Sequence, residues 1–156
     1  MRVGNWRLEV GSFLVEVSQV RRRVQHAIAE AKQRTQDRRQ RLLEAEQAYA
    51  LFLQDVATPL VRQVANALKA EGYAFTVSTP GDGLRLASDR GRDDFVEFTL
   101  DADGDPPQVI GRISRTRGSR RIDQELPLNA GVSPGALTED DVLDFVMRAV
   151  EPWLAR

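Results

Sequence analysis

The dominant pattern in the first third of the chain is an alternation of three- and four-residue steps between apolar positions. Neither Gly nor Pro interrupts residues 12–57, which are rich in Ala, Gln, Glu, Arg and Leu. Such a stretch predicts one long helix. Its apolar positions fit the a and d sites of a heptad repeat, which is typical of a coiled coil. The seam residues are Val17, Val20, Val24, Ile28, Ala31, Leu42, Tyr49 and Phe52.

We expect this helix to join copies of the chain. About 45 residues with a rise of about 1.5 Å each make a rod of roughly 65–70 Å. A compact domain of ~100 residues has a radius of gyration of only ~13 Å and cannot cover such a rod. The seam therefore predicts a homo-oligomer, with residues 1–57 as the oligomerisation helix.

The beginning of the helix is less regular. Residues 6–10 alternate between apolar and polar side chains, which predicts a short strand. Gly11 and Ser12 would then form a turn and the helix N-cap. Val10 and Phe13 extend the seam rhythm upstream of Val17. We place the start of the helix near Ser12.

Residues 58–156 are expected to form a small α+β domain. Thr58 and Pro59 suit the N-cap and first position of a helix that closes at Gly72, although a proline also allows a kinked continuation of the long helix. From Tyr73 the apolar period becomes two, and Gly- and Pro-rich turns interrupt it. This spacing predicts five short strands in an antiparallel meander with one wet face.

A final helix is predicted after Thr138. Thr138 and Asp141 approximate a capping box, and acidic residues at positions 139–141 suit the positive end of a helix dipole. We expect its apolar face to cover the sheet, which makes the fold class α+β. That face consists of Val142, Phe145, Val146, Ala149, Val150 and Trp153.

The formal net charge of −1 hides a division along the chain. Residues 1–60 carry ten basic and seven acidic side chains, whereas residues 61–156 carry twelve and sixteen. Clustered cations fit a phosphate-bearing or acidic partner, but they equally suit a solvated coiled-coil face. The basic segment contains Arg21, Arg22, Arg23, Lys32, Arg34, Arg38, Arg39 and Arg41.

A second group of arginines follows the predicted hairpin around Gly118-Ser119, over residues 112–121. Cross-strand pairing would place Arg112 opposite Glu125, whereas the tip has no close acid. The tip either discourages edge pairing in solvent or contacts phosphate or an acidic peptide. The tip residues are Arg115, Arg117, Arg120 and Arg121.

Little else in the chain points to chemistry. There is no Cys, which excludes disulfides and thiolate catalysis, and His26 is the sole histidine. Residues 101–105 imitate the start of a calcium loop, but Pro106 and Arg112 occupy positions that the loop assigns to Gly and Glu. We therefore predict no catalytic group, no metal and no cofactor.

The location and function follow from these patterns as expectations. The first residues do not have a signal-peptide profile and no run reaches the ~20 apolar residues of a membrane span, so we expect a cytoplasmic protein. We recognise no family signature. The preferred hypothesis is a non-catalytic oligomeric scaffold or adaptor that binds another protein. The alternative is a nucleic-acid-binding protein that uses the basic segment or the arginine hairpin.

Overall fold

The computed structural model describes the backbone of residues 2–155 and the side chains of residues 16–155. It confirms the α+β class, with a long helix, a second helix, five antiparallel strands and a final helix. Two compact units comprise residues 1–40 and 41–156. The elements are α1 Arg2–Phe52, α2 Thr58–Ala70, β1 Phe75–Ser78, β2 Leu84–Ser88, β3 Phe95–Asp101, β4 Gln108–Arg117, β5 Arg120–Pro127 and α3 Glu139–Leu154.

Helix α1 begins earlier than its sequence predicts. Its backbone is helical from Arg2, so the strand at residues 6–10 and the N-cap at Ser12 are wrong. A helix satisfies its hydrogen bonds within the segment, whereas a strand needs a neighbour. The side chains of Val10 and Phe13 lie outside the described residues. None of the helices in the described part of the chain is long and apolar enough to cross a membrane.

The junction between α1 and α2 is helical throughout. A π-helical turn, Leu53–Ala57, follows α1, and Thr58 has helical angles of φ −62° and ψ −47°. The predicted N-cap at Thr58 is therefore wrong, because its N–H already donates to the carbonyl of Leu53. Pro59 lies in the first turn of α2 and Gly72 follows its end with φ 93°, both as predicted.

The sheet is a meander in the order β1-β2-β3-β4-β5, with each strand antiparallel to the next. One face packs against α2 and α3 and forms the hydrophobic core, which confirms the expected cover. The ring of Trp153 lies 6.0 Å from that of Phe75. The buried sheet residues on this helix-facing side are Leu84, Leu86, Val96, Phe98, Val109 and Ile113.

The opposite face of the sheet is polar but is not fully wet. Its centre is an alternating row of charges, in which Arg85 lies opposite Glu97, Glu97 opposite Arg112, and Arg112 opposite Glu125. The guanidinium of Arg85 is 2.9 Å from the Glu97 carboxylate and 4.2 Å above the ring of Phe95. These contacts bury Phe95 and Glu97 without a covering helix.

The capping box of α3 is confirmed. The N–H of Asp141 donates to Thr138 Oγ1 at 3.2 Å, and the N–H of Thr138 donates to Asp141 Oδ2 at 2.9 Å. Asn129 also donates to Asp141, at 3.0 Å. The start of α3 is thereby fixed beside the loop that follows β5.

Candidate interaction surfaces

The first unit carries an apolar stripe, which we define as Val17, Val20, Val24 and Ile28. These side chains are between 43% and 58% exposed, and every other side chain from Glu16 to Gln40 is exposed as well. Steps of three and four residues place the four on one side of the helix. This unit therefore presents large apolar groups to solvent along one line.

The remaining seam residues lie in different surroundings. Ala31 is exposed and Leu42 is half-buried. Tyr49 and Phe52 are only 5% and 4% exposed, because they pack into the core of the second unit. That burial removes both from any surface on which another chain can pack. The second unit thus takes in the end of α1 from Arg41, which the sequence pattern had placed in the oligomerisation helix.

Tyr49 also holds the second unit together through its hydroxyl. It donates to the carbonyl of Asp82 at 2.9 Å and of Phe98 at 3.2 Å. Burial, and then the nearby carboxylates of Asp82 and Glu97, raises the pKa of Tyr49 above its usual range. A recess of about 750 Å³ beside it is lined by Glu46 and Asp82. The phenol is therefore a structural donor at neutral pH.

The basic segment is exposed from Arg21 to Arg41. Successive helical residues point about 100° apart, so its cations lie around the helix and not on one face. Short-range pairs occur among its neighbours: His26 Nε2 is 2.9 Å from Glu30, and Gln33 donates to Asp37 at 3.0 Å. Arg41 lies 3.9 Å from Asp105. This distribution is typical of a solvated helix.

The arginine hairpin has the predicted register, with Arg112 opposite Glu125 and a turn between Arg117 and Arg120. The expectation that the tip lacks a close acid is wrong for Arg121, whose Nε is 3.3 Å from Asp123 and donates to Ser114 at 3.2 Å. Side chains two residues apart share a face of a strand, and this brings the two charges together. Arg115 points to the helix-facing side, whereas Arg117 and Arg120 lie exposed at the turn.

Two further arginines join this hairpin, although the sequence pattern did not single them out. Arg90 and Arg92, in the β2–β3 turn, line a recess of about 550 Å³ together with Arg117. Turns of an antiparallel meander alternate between its two ends, so the β2–β3 and β4–β5 turns share one end. The turn signals in the sequence, together with the predicted meander, could have placed these two turns at the same end of the sheet. The N–H of Thr116 donates to buried Asp94 at 2.7 Å and ties the two turns together.

A groove lies between the β4–β5 hairpin and α3, and no pattern in the sequence indicated it. Its volume is about 530 Å³, and Ile113, Leu126 and Phe145 contribute its apolar lining. Charges of both signs line it as well, including Arg115 and Asp144. Strand β5 forms one wall and is the last strand of the sheet. All eight of its residues are exposed, including Ile122 at 39% and Leu126 at 40%.

The described residues show no group of three His, Asp or Glu side chains placed to hold a metal ion. The acidic residues 101–105 accordingly do not gather around one point. Comparison with known proteins gives no further assignment: no family model, no curated protein and no solved structure matches this chain.

Proposed function

We propose that this protein is a non-catalytic, cytoplasmic oligomeric scaffold or adaptor. In this proposal α1 joins copies of the chain, and the α+β unit binds another protein through its sheet. The observation that carries it is the apolar stripe, in which four large aliphatic side chains lie exposed in one line. Burial of one such side chain is worth about 1.5–3 kcal/mol, so an exposed row favours association.

The spacing of the stripe favours another copy of the same helix as its partner. Val17, Val20 and Val24 are separated by steps of three and four, as in the seam of a coiled coil, and Ile28 follows after another step of four. An identical helix offers the same spacing and the same side chains, and closed symmetric assemblies are the commonest homo-oligomers. Most cations of the helix, including Arg22 and Arg23, project away from the stripe and remain in solvent, whereas Arg38 is five full turns after Val20 and lies on its side.

Light scattering of the full chain tests the proposal. We expect a mass at least twice the 17.5 kDa of one chain at micromolar concentration. The double substitution Val20→Glu/Val24→Glu should lower this mass, because two buried carboxylates in a seam are costly. Gln19→Glu/Ala29→Glu is the matched control, since it adds the same charge on the opposite side of the helix. It should leave the mass unchanged.

The proposal fails if the unsubstituted chain has the mass of a single chain at micromolar concentration. It also fails if the stripe substitutions and the control substitutions have the same effect. Circular dichroism and thermal melting of all variants should show that the second unit stays folded, since every substituted position lies in the first unit.

Nucleic-acid binding is the second candidate function, and one observation favours it. Arg90, Arg92 and Arg117 line one recess at the end of the sheet together with Asp93 and Asp94, so three cations and two carboxylates lie where a phosphate would bind. Fluorescence anisotropy with duplex and single-stranded probes should then show binding at ~50 mM salt that weakens steeply as salt rises.

Two variants separate the candidate surfaces. Arg90→Gln/Arg92→Gln should abolish binding if the recess carries it, whereas Arg22→Gln/Arg23→Gln should do so if the basic segment carries it. Probes that remain unbound at low salt rule out this second function.

A further inference from the structure

Strand β5 has one hydrogen-bonding edge that faces away from the sheet. Leu128 donates its N–H to the carbonyl of Val109 at 2.9 Å, which continues the register in which Arg120 lies opposite Arg117. Backbone groups in an antiparallel pair alternate in direction, so even-numbered residues of β5 point to β4. The N–H and C=O groups of Arg121, Asp123 and Glu125 therefore point to the open edge.

The charges of β5 change sign along the strand. Arg120 and Arg121 lie at its beginning, and Asp123 and Glu125 follow. Arg121, Asp123 and Glu125 share the helix-free face of the sheet. In an antiparallel pair of two such strands, the basic end of each strand lies beside the acidic end of the other. Opposite charges on cross-strand neighbours stabilise pairing, and like charges oppose it.

The helix-facing side of β5 adds an apolar contribution. Ile122 lies opposite Arg115 and Leu126 opposite Gly111, and both apolar side chains are well exposed. Exposed apolar groups on an open edge promote pairing with another strand. The edge thus combines unpaired backbone groups, complementary charge and apolar surface within eight residues.

From this geometry we infer that β5 pairs antiparallel with β5 of a second copy of this chain, in a register centred on Ile122. The two Ile122 residues then form a non-hydrogen-bonded pair, the arrangement in which side chains approach most closely. Arg121 of each copy lies opposite Asp123 of the other. A register centred on Asp123 would place the Asp123 carboxylates of the two copies opposite each other. A register centred on Gln124 would place Asp123 of each copy opposite Glu125 of the other, which gives two like-charge pairs.

A single cysteine tests this register, because the chain has none of its own. In the inferred pair the two Cβ atoms at position 122 are about 4.5–5.5 Å apart, near the span of a disulfide. Ile122→Cys should form a disulfide-linked dimer when diamide is added as the oxidant, which takes up the two electrons and two protons of the thiols. Gln124→Cys is the control. It lies on the same strand and face, but its two copies would be about 13 Å apart.

Charge exchange in the cross-linking chain supplies a second test of the register. In the Ile122→Cys chain, Arg121→Asp or Asp123→Arg alone should lower the cross-link yield several-fold, because each creates like-charge pairs. The double substitution Arg121→Asp/Asp123→Arg should recover the yield, since it restores opposite charges across the interface. Thermal melting is measured in parallel, because Arg121 also donates to buried Ser114 and Asp123 lies 3.5 Å from Arg112 of its own chain.

The inference is overturned if the Ile122→Cys chain forms no dimer, or if the Gln124→Cys chain cross-links as efficiently. If the β5 edge binds a strand of a different protein, or binds no strand at all, position 122 has no preference for cross-linking over position 124. A double charge exchange that does not recover the yield of a folded chain also contradicts it.

The pairing of β5 does not rest on the apolar stripe of α1. Ile122→Cys combined with Val20→Glu/Val24→Glu should still cross-link more than the Gln124→Cys control. A cross-link yield of this combined variant no higher than that of the Gln124→Cys control would show that β5 pairing depends on the apolar stripe. The mass of the stripe variant tests the helix, and the cross-link tests the edge, so the two proposals fail separately.

Discussion

The ring of Phe145 lies directly over Gly111, and a Cβ atom at position 111 would overlap its ring carbons. Phe145 also meets Phe98 edge-on, with ring centroids 5.7 Å apart. The missing side chain of Gly111 thus lets α3 pack closely on the middle of β4. This contact positions the helix that forms one wall of the groove beside β5.

Gly111→Ala should destabilise the second unit by about 1–3 kcal/mol, because the added methyl group forces the ring out of its packed position. Urea unfolding monitored by circular dichroism measures the loss. Gly135→Ala is the control, since its Cβ would lie 3.6 Å from that of Ala48, an ordinary contact. Equal stabilities of the two variants would contradict the close packing of Phe145.

Tyr49→Phe should cost about 1–2 kcal/mol at neutral pH, because the carbonyls of Asp82 and Phe98 lose their donor. Its raised pKa means that the folded state holds the phenol proton more tightly than the unfolded state. Stability should therefore fall as pH rises above the ordinary value of 10.0. Stability of the Tyr49→Phe variant should fall less steeply with rising pH. Unfolding curves measured below and above pH 10.0 test this difference. An unchanged alkaline slope would count against this role.

Glu97→Ala should destabilise the protein by roughly 3 kcal/mol, because it leaves the guanidinium of Arg85 without its carboxylate at a largely buried site. Glu97→Gln should cost less, since an amide oxygen still accepts a hydrogen bond. Glu125→Ala provides the control in the same row of charges at its exposed end, and we expect a change within about 0.5 kcal/mol. Chemical denaturation of the three variants gives the order, and a reversed order would refute it.

Asp141→Asn should reduce stability at neutral pH but not in strong acid. The backbone N–H of Thr138 lowers the pKa of Asp141, with smaller contributions from the Thr138 hydroxyl and Asn129. A lowered pKa adds stability above the unfolded value, near 3.8, and this contribution disappears as pH falls through the folded value. Asp140→Asn is the control, because it is acidic in the same first turn but lies outside the capping box. Acid titrations of stability should differ between the two variants.

Much of the second unit follows from local signals. Alternating apolar residues locate all five strands, Gly118-Ser119 locates the last hairpin, and Thr138 with Asp141 locates the start of α3. Each of these signals acts within a few residues, and no distant contact opposes it. The junction at Thr58 shows the limit, because the N–H of Thr58 itself already donates to the carbonyl of Leu53, so the residue lies inside a continuous helix and not at the start of a new one.

The interaction surfaces are less accessible to sequence reasoning. Tyr49 and Phe52 continue the spacing of the apolar stripe, yet the second unit buries them in its own core. Spacing tells which residues share a helix face, but not what packs against that face. The recess lined by Arg90, Arg92 and Arg117 likewise joins two turns that are distant in sequence.

The α+β class, the five strands, the final helix and the exclusion of thiol chemistry can be read from the residues, because propensity, periodicity and turn chemistry are properties of short segments. Three features required the packed chain: which parts of the apolar seam stay exposed, how Gly111 admits the ring of Phe145, and why β5 lies uncovered at the edge. Those outcomes depend on which surfaces meet when distant segments come together. Burial is set by contacts between segments that are distant in sequence, and the local residue pattern does not specify those contacts.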